Sequence, residues 1–322
     1  MTLDSAVSRR PSIAAIGMAS WDRFNVIEQF PSPGGYAVVL SQASLPGGTT
    51  ANSAVALAGL GARVVLAAVV GDDTEGVAMR AALQRAGVDT TWVHTRPGAR
   101  SDTATIIVSR EPVDRTILWH RGAHLVRGDR LDIAALFAHD LLFVDVADPT
   151  LRRFLVDLPA HTQPNARLLS TLTYLVDNGG PNALDLALRF DALTGNQWEF
   201  QTLTGTTSVT AAISVMRKRM SGSNLRAAAM SIGAAGCHIW TPEDRWHVPA
   251  IPTQVVDATG AGDAFAAGIA YGMALRWEWE KIGRFANALG SLATRALGAQ
   301  ESLATLAEAA SLLRVEPATL RG

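Results

Sequence analysis

The sequence predicts an α/β fold with a doubly wound, mostly parallel central sheet, helices on both faces of that sheet, and a small β-sheet lid. Three observations predict this fold. Short apolar runs of strand length alternate with Ala- and Leu-rich stretches of helical length, the pattern of parallel strands joined by crossover helices. Several of the short runs are apolar throughout, as expected when both faces of a strand are covered. Two further segments break the alternation and have the pattern of hairpins.

The predicted elements cover most of the chain. Six apolar runs are predicted strands of the central sheet, at residues 13–17, 64–69, 141–146, 167–170, 227–232 and 238–241. Nine stretches are predicted helices, at residues 50–60, 76–86, 131–138, 150–158, 183–190, 209–220, 264–275, 282–297 and 303–313. No long linker separates these elements, and residues 1–322 are therefore predicted to form a single α/β domain.

The two hairpin segments predict the lid. Residues 24–45 contain β-like residues around a Pro-Ser-Pro-Gly-Gly turn, and residues 103–120 contain two β-like runs separated by a Glu-Pro turn. The ligand crevice of an open α/β sheet lies at the carboxyl ends of its strands. We therefore expect inserted strands at about 23–46 and 102–122 to cover that crevice.

Composition excludes several classes of protein. Of the 322 residues, 48% are apolar and 18% are charged, which allows a sizeable core. The formal net charge of −1 gives no electrostatic support to a nucleic-acid or anionic-membrane partner. The N-terminus lacks the apolar region of a signal peptide and no apolar run could span a membrane. We expect a soluble cytoplasmic protein whose single cysteine, Cys237, is a buried small hydrophobe rather than a catalytic partner of His238.

Residues 257–263 (Asp-Ala-Thr-Gly-Ala-Gly-Asp) are the strongest chemical signal. A β-like run at 253–256 leads into two glycines and then a long helical stretch. Backbone N–H groups before a helix form an anion site together with its dipole. Asp263 would lie beside that anion, where it suits a base that accepts a hydroxyl proton. The alternative is a glycine-rich turn with Asp263 as an ordinary N-cap.

Two other kinds of phosphate loop are disfavoured. A P-loop needs a Gly-Lys-Ser/Thr sequence, and neither Lys218 nor Lys281 follows a glycine. A dinucleotide-binding loop needs a third glycine three residues after Gly262, where this chain has Phe265.

The run at 257–263 resembles the C-terminal motif of the PfkB (ribokinase-like) family of carbohydrate kinases, nearest to its ketohexokinase- and fructokinase-type members. Further motifs of that family occur in its order, at residues 47–54 (GGTTANSA), 196–199 (NQWE) and 231–236 (SIGAAG). The resemblance extends over about 13–313. It implies a ribokinase-like fold and an ATP-dependent kinase, with a small-molecule sugar and ATP as its substrates.

The resemblance also assigns catalytic and magnesium roles. Asp263 would activate the acceptor hydroxyl, and the backbone of residues 260–262 would hold the transferred phosphoryl group. Asn196 and Glu199 would hold Mg²⁺ largely through waters, which suits the few carboxylates that Mg²⁺ needs beside phosphates. Alone, Glu199 is as well explained as a carboxylate that pairs with a helix dipole.

Substrate and nucleotide contacts are implied in the same way. The sugar side would contain Asp22, Gly47, Gly48, Asn52 and Asp263. The nucleotide side would contain Asn196, Ser231, Gly233, Gly236, Gly260, Gly262, Asn287 and Arg115. Three of these have structural alternatives: Asn52 as a helix-start polar residue, Asn287 as a helix-surface residue, and Arg115 as a surface charge of a lid strand.

A monovalent-cation site, for K⁺, is also implied by the resemblance. Asp257 and Thr259, with carbonyls near Leu297 and Ser302, resemble the site of some members. The spacing between Arg295 and Gly298 departs from the commonest family pattern.

Three functions follow. The first is a sugar kinase that phosphorylates a primary hydroxyl, with a ketose such as fructose ahead of ribose. The second is a nucleoside kinase of the same family, which would need an apolar slot, with Trp21, Phe24 and Trp119 as candidates. The third is a non-catalytic sugar-binding relative, against which the intact Asp263 and Glu199 argue. A homodimer through the lid is expected because open sheet edges are usually covered.

Overall fold

The computed structural model describes residues 10–158, 167–178, 180–301 and 304–321. The strands in these residues are β1 Ser12–Gly17, β2 Ser20–Ile27, β3 Val39–Gly47, β4 Arg63–Gly71, β5 Asp89–Arg96, β6 Asp102–Arg110, β7 Val113–His120, β8 Leu141–Asp145, β9 Arg167–Thr171, β10 Ala192–Asn196, β11 Ala227–Ser231, β12 Cys237–Trp240 and β13 Arg245–Val248. The helices are α1 Thr49–Gly59, α2 Thr74–Arg85, α3 Ile133–Phe137, α4 Pro149–Asp157, α5 Thr173–Asn178, α6 Ala183–Ala187, α7 Gln197–Thr204, α8 Val209–Met220, α9 Ala261–Ala274, α10 Trp279–Ala293 and α11 Leu306–Leu313.

The central sheet has the strand order β13-β12-β11-β10-β9-β8-β1-β4-β5. The strands from β11 to β5 in this order are parallel, and β12 and β13 form an antiparallel edge. The chain first extends the sheet from β1 towards β5 and then returns to add β8 on the other side of β1. This reversal creates a switch point at the carboxyl ends of β1 and β8, where open α/β sheets bind ligands. The predicted doubly wound, mostly parallel sheet is confirmed.

Two apolar cores cover the two faces of this sheet. In β1, Ile13 and Ala15 belong to one core, and Ala14 and Ile16 belong to the other. The first core includes α1, α9 and α10, whereas the second includes α4, α7 and α8. Because each strand residue is covered on whichever face it points to, the apolar runs show no alternation in the sequence.

The lid is a separate four-stranded sheet with the order β3-β2-β6-β7. Both predicted hairpins are present as antiparallel pairs, β2 with β3 and β6 with β7, and β2 pairs with β6 in parallel. The lid has a small core of its own, which contains Phe24, Val26, Ala104, Ile106 and Val108.

Some predicted elements differ from the structure. The β-like run at 253–256 is not a strand; it crosses the surface with Val255 and Val256 half-exposed, and the Val256 N–H donates to the Thr294 carbonyl. The predicted helix at 282–297 begins and ends earlier, as α10. The first residue of the helix predicted at 303–313 lies outside the described residues, which show α11 from Leu306.

Several elements were not predicted, namely β5, β10, β13, α5 and α7. β5 and β13 alternate exposed and buried positions at the edges of the sheet, and β10 contains Gly195. Their sequences therefore lack the continuous apolar run that identified the inner strands. Within the part of the chain that the structure describes, no helix is long and apolar enough to cross a membrane.

Candidate active site

A cleft of about 410 Å³ lies between the central sheet and the lid. It lies at the carboxyl ends of the strands of the central sheet, which is where we expected the lid strands to cover a crevice. Most of the predicted site residues line it: Asp22, Gly48, Asn52, Arg115, Asn196, Glu199, Ser231, Thr259, Gly260, Gly262 and Asp263.

A second cleft of about 470 Å³ adjoins the first. Its lining includes the predicted nucleotide residues Ser231, Gly233, Gly236, Gly262 and Asn287. The two clefts share Ser231, Gly262 and Phe265. The predicted nucleotide residues thus divide between two clefts that meet at the start of α9: Gly233, Gly236 and Asn287 line only the second, whereas Arg115, Asn196 and Gly260 line only the first.

The start of α9 is built from two glycines with different roles. Gly260 is the N-cap with φ +79°, and a side chain there would lie 2.5 Å from the Ala299 Cβ. Gly262 has open space where its Cβ would be, so packing does not require a glycine at that position. The Ala261 N–H donates to the Ala258 carbonyl at 3.3 Å. The N–H groups of Gly262 and Asp263 follow in the first turn, where N–H groups lack an intrahelical partner, whereas the Ala264 N–H donates to the Gly260 carbonyl at 2.9 Å.

Asp263 is not the N-cap of α9, because Gly260 has that position. Its Oδ2 instead accepts a hydrogen bond from Asn52 Nδ2 at 2.7 Å. Burial raises the pKa of Asp263 to about 7, the Asn52 amide opposes this increase, and the carboxylates of Asp145 and Asp22 add to it. Arg115, on the lid, lowers the pKa. A carboxyl with a pKa near 7 is suited to accept a proton at neutral pH.

Gly47 and Gly48 shape the predicted sugar side of the first cleft. A Cβ at Gly47 would lie 2.0 Å from Oδ2 of Asp22, and one at Gly48, where φ is +93°, would lie 2.7 Å from the Ser20 N–H nitrogen. The two glycines therefore let the end of β3 close onto β2 around the Asp22 carboxylate. Burial raises the pKa of Asp22 to about 6, against a hydrogen bond of 2.9 Å from the Ser20 hydroxyl.

Asn52 joins the predicted sugar side to Asp263. It lies inside α1, is buried, and its side chain does not cap the helix. Besides donating to Asp263, it accepts a hydrogen bond from Gln300 Nε2 at its own Oδ1, at 2.9 Å. The alternative of a simple helix-start residue is therefore wrong for Asn52.

Asn196 and Glu199 form a capping box at the start of α7. Asn196 Oδ1 accepts from the Glu199 N–H at 2.9 Å, and Glu199 Oε2 accepts from the Asn196 N–H at 2.7 Å. Thr173 Oγ1 donates to Glu199 Oε1 at 2.9 Å. Burial raises the pKa of Glu199, and the charges of Asp145 and Asp177 add to this effect. Glu199 is thus a carboxylate at a helix start, as the structural alternative stated, and it also lines the first cleft.

A comparison with known families decides the class of protein. The family model described as pfkB family carbohydrate kinase matches residues 11–306. The chain belongs to the PfkB family of carbohydrate kinases.

The relatives in this family are named after different sugars. The chain is 28% identical over 313 residues to ribokinase of Bacillus subtilis (strain 168), covering 94% of this chain and 99% of that one. It is 25% identical over 316 residues to probable fructokinase-2 of Arabidopsis thaliana, covering 90% and 94%. The solved structure of Arabidopsis thaliana ribokinase complexed with ribose and ATP matches its fold with a TM-score of 0.80 at 23% identity, covering 96% and 100%. The ribokinase-like fold is confirmed.

Two of the remaining predicted residues in this PfkB kinase had structural alternatives. Asn287 is buried, and its Nδ2 donates to the carbonyls of Val248 at 2.9 Å and Pro249 at 3.2 Å. It therefore fixes one wall of the second cleft and is not a helix-surface residue. Arg115 is exposed, yet it lines the first cleft from the lid.

Asp257 ties the glycine turn to the segment after α10. Its Oδ1 accepts from the Thr259 N–H at 3.0 Å and from Thr259 Oγ1 at 2.8 Å, and its Oδ2 accepts from the Gly298 N–H at 2.9 Å. Both carboxylate oxygens thus already have protein donors. The monovalent-cation site stays a prediction, and Ser302, one of its predicted neighbours, lies outside the described residues.

The sequence analysis missed Asp145, at the end of β8. This buried carboxylate lies at the switch point and accepts hydrogen bonds from the hydroxyls of Thr49 and Thr171, both of which line the first cleft. Burial raises its pKa, and the Arg152 guanidinium opposes that increase. A signal for it existed, because a carboxylate that ends an apolar strand of a parallel sheet lies at the ligand edge.

Proposed function

We propose that the protein is an ATP-dependent sugar kinase that transfers the γ-phosphoryl group of ATP to a primary hydroxyl of a small sugar. One observation carries the proposal: the partly buried Asp263 carboxylate lines the first cleft next to Gly262, which lines both clefts, and Asn52 holds one of its oxygens. A base at such a junction can take a proton from an acceptor in the first cleft while the nucleotide occupies the second. ATP as the donor is supported by the relative whose solved structure is complexed with ribose and ATP.

The transfer divides among the residues as follows. The sugar hydroxyl gives its proton to Oδ1 of Asp263, because Oδ2 is held by Asn52. The hydroxyl oxygen bonds to the γ-phosphorus as the bond to the bridging oxygen of ADP breaks. The charge on the transferred group is stabilised at the start of α9 by the N–H of Gly262 and by the positive end of the helix. Arg115 would complete the site from the lid.

Mg²⁺ fits the donor set at α7. Glu199 already accepts a hydrogen bond at each carboxylate oxygen, which leaves it few direct coordination positions. Mg²⁺ typically keeps several waters and binds one or two carboxylates plus substrate phosphates. Asn196 and Glu199 would therefore hold it largely through water, and it would neutralise charge on the phosphates. We propose K⁺ near Asp257 and Thr259 as a further ion.

For the acceptor sugar, we propose a ketose such as fructose ahead of ribose. ATP consumption should be measured with fructose, other ketoses, ribose, adenosine, inosine and cytidine. We expect turnover with at least one ketose or pentose, and a preference of at least about tenfold over any nucleoside, because a site that hydrogen-bonds hydroxyls discriminates strongly. No turnover with any sugar would overturn the sugar-kinase proposal. Sugar binding by calorimetry with no turnover would favour a non-catalytic relative.

A nucleoside kinase remains the second candidate, and Trp119 is the observation in its favour. Trp119 lines the first cleft, with its ring centroid 5.9 Å from that of Tyr174. The other two predicted aromatics do not line this cleft: Phe24 lies in the lid core, and Trp21 Nε1 donates to Ser44. One aromatic wall could stack a base, and the nucleosides of the same panel test it.

The activity should depend on the ionisation of Asp263. A base acts in its deprotonated form, so kcat/KM for the sugar is expected to fall about tenfold per pH unit as the pH decreases below about 7 and to level off above it. The measurement is kcat/KM between pH 5.5 and 9 at saturating Mg·ATP. An acid limb near pH 4, the ordinary range of a carboxyl, would contradict the proposed role of Asp263.

A homodimer through the lid stays a proposal. β3 and β7 are the edge strands of the lid sheet. Tyr36 and Val38, which precede β3, are 91% and 68% exposed. Unpaired strand edges beside exposed apolar side chains are features that proteins usually cover.

A cytoplasmic location is likewise proposed, from the sequence alone.

A further inference from the structure

We propose that Gln300 is a positioning residue: its side-chain amide holds Asn52 in the one orientation that presents the Asn52 NH₂ group to Asp263. The catalytic part of this inference rests on the proposed function. It begins with a chain of two hydrogen bonds between residues far apart in the sequence. Gln300 Nε2 donates to Asn52 Oδ1 at 2.9 Å, and Asn52 Nδ2 donates to Asp263 Oδ2 at 2.7 Å.

The direction of this chain follows from the donors and acceptors that are available. An ionised carboxylate only accepts hydrogen bonds, so Asp263 requires the NH₂ end of the Asn52 amide. The Asn52 carbonyl oxygen then points away from Asp263, and Asn52 is buried. That oxygen needs a donor, because a buried polar atom without a partner is costly. Gln300 supplies the donor.

The backbone that presents Gln300 is held on several sides. The Gly298 N–H donates to Asp257 at 2.9 Å, and Ala299 packs against Gly260, the N-cap of α9. Leu297 packs against the lid core. The segment 297–300 therefore touches the lid, the glycine turn and Asn52, which limits how far Gln300 can move.

The surroundings of Asp263 make the Asn52 donor important. Two carboxylates face it, Asp22 from β2 and Asp145 from β8, and the Tyr174 hydroxyl lies near enough to feel its charge. Arg115 on β7 is the one cation that acts on it among the described residues. Loss of the Asn52 hydrogen bond would leave the ionised form of Asp263 less stable and would raise its pKa above about 7.

Two substitutions separate the donor from the size of the side chain. Gln300→Met keeps the length but removes the donor. Gln300→Glu keeps the shape but offers only acceptors, so it competes with Asp263 for the NH₂ group of Asn52. Gln84→Glu, an exposed position on α2 away from both clefts, is the matched control for the added charge.

The first experiment is the pH profile of kcat/KM with the best substrate of the panel. We expect the acid limb to move up by at least about half a pH unit in Gln300→Met and further in Gln300→Glu, with an unchanged limb in Gln84→Glu. At pH 9 the variants should recover much of the lost activity, which a general packing defect would not permit. Unmoved limbs in both Gln300 variants would overturn the inference.

The second experiment needs no activity: the unfolding midpoint Tm of Gln300→Met and of the unchanged protein between pH 5 and 9. The folded-state pKa of Asp263 is raised, so the stability that its proton contributes is lost as the pH increases from the ordinary carboxyl value of about 4 to about 7. We expect a small gap in Tm at pH 5, where folded Asp263 is protonated in both proteins, and a larger gap at pH 9. An equal gap at both values would overturn the inference. If none of the sugars or nucleosides were phosphorylated, only the proposed function would be overturned. The Tm comparison would still test the role of Gln300.

Discussion

Replacement of Asp263 by asparagine is expected to lower kcat by about 10²–10⁴-fold, the usual contribution of a positioned general base. The substitution keeps the shape of the side chain but removes the site that accepts the hydroxyl proton. The sugar should still bind within a few-fold of its normal affinity, because Asp22 and Asn52 remain in the cleft. Steady-state kinetics and calorimetry with the best substrate measure the two quantities.

Stability provides the control for Asp263→Asn. Desolvation raises the pKa of the partly buried Asp263 carboxylate to about 7, so its ionisation opposes folding above that pH. We therefore expect the Tm of the variant to equal or exceed that of the unchanged protein at pH 8. Asp89→Asn, at an exposed position at the start of β5, should leave both kcat and Tm unchanged. If Asp263→Asn retained more than about a tenth of kcat, the assignment of the base would be wrong.

Replacement of Gly262 by alanine is expected to stabilise the fold and impair the reaction. Alanine is favoured over glycine within a helix by about 0.5–1 kcal/mol, and the Cβ at this position meets no atom. The methyl group would instead enter the space between the two clefts, where the phosphoryl group has to approach the backbone. We expect kcat/KM to fall by about 10²-fold, the effect of losing one anion-hole donor. Thermal unfolding and steady-state kinetics measure the opposing effects.

Two other glycines serve as controls for Gly262→Ala. Gly59→Ala, at the exposed end of α1, should stabilise the fold without loss of activity, because its Cβ would make only an ordinary contact with the Ala304 carbonyl at 3.8 Å. Gly260→Ala should destabilise the fold, since it combines a positive φ with a clash against Ala299. Full activity in Gly262→Ala would remove the anion site from the proposed mechanism.

The sequence predicted the inner strands of the central sheet except β10, and it missed the two edge strands. The inner strands β1, β4, β8, β9 and β11 are buried on both faces and therefore appear as apolar runs. Edge strands such as β5 and β13 have one exposed face, and their composition resembles that of loops. The prediction for 253–256 was wrong in the opposite direction: its valines have strand propensity, but the segment forms no strand, and Val255 and Val256 are half-exposed.

The candidate site divides in a similar way. Short motifs predicted Asp263, Asn196 and Glu199, because each residue lies in a compact sequence pattern: Asp263 ends the glycine turn, and Asn196 and Glu199 form a capping box. The sequence analysis assigned no role to Asp145 or Gln300, because the hydrogen-bond partners of each are remote in the sequence. Asp145 accepts from Thr49 and Thr171, and Gln300 donates to Asn52.

What the sequence by itself determined is the order of the strands and helices along the chain and the chemical groups that the glycine turns can present. What only the tertiary structure decided is which groups meet. Asn52 and Asp263 are 211 residues apart in the sequence, yet Asn52 Nδ2 lies 2.7 Å from Asp263 Oδ2. That contact exists because α1 and α9 pack on the same face of the sheet. Local spacing cannot encode such a distance, which depends on strand order and helix packing across the whole domain.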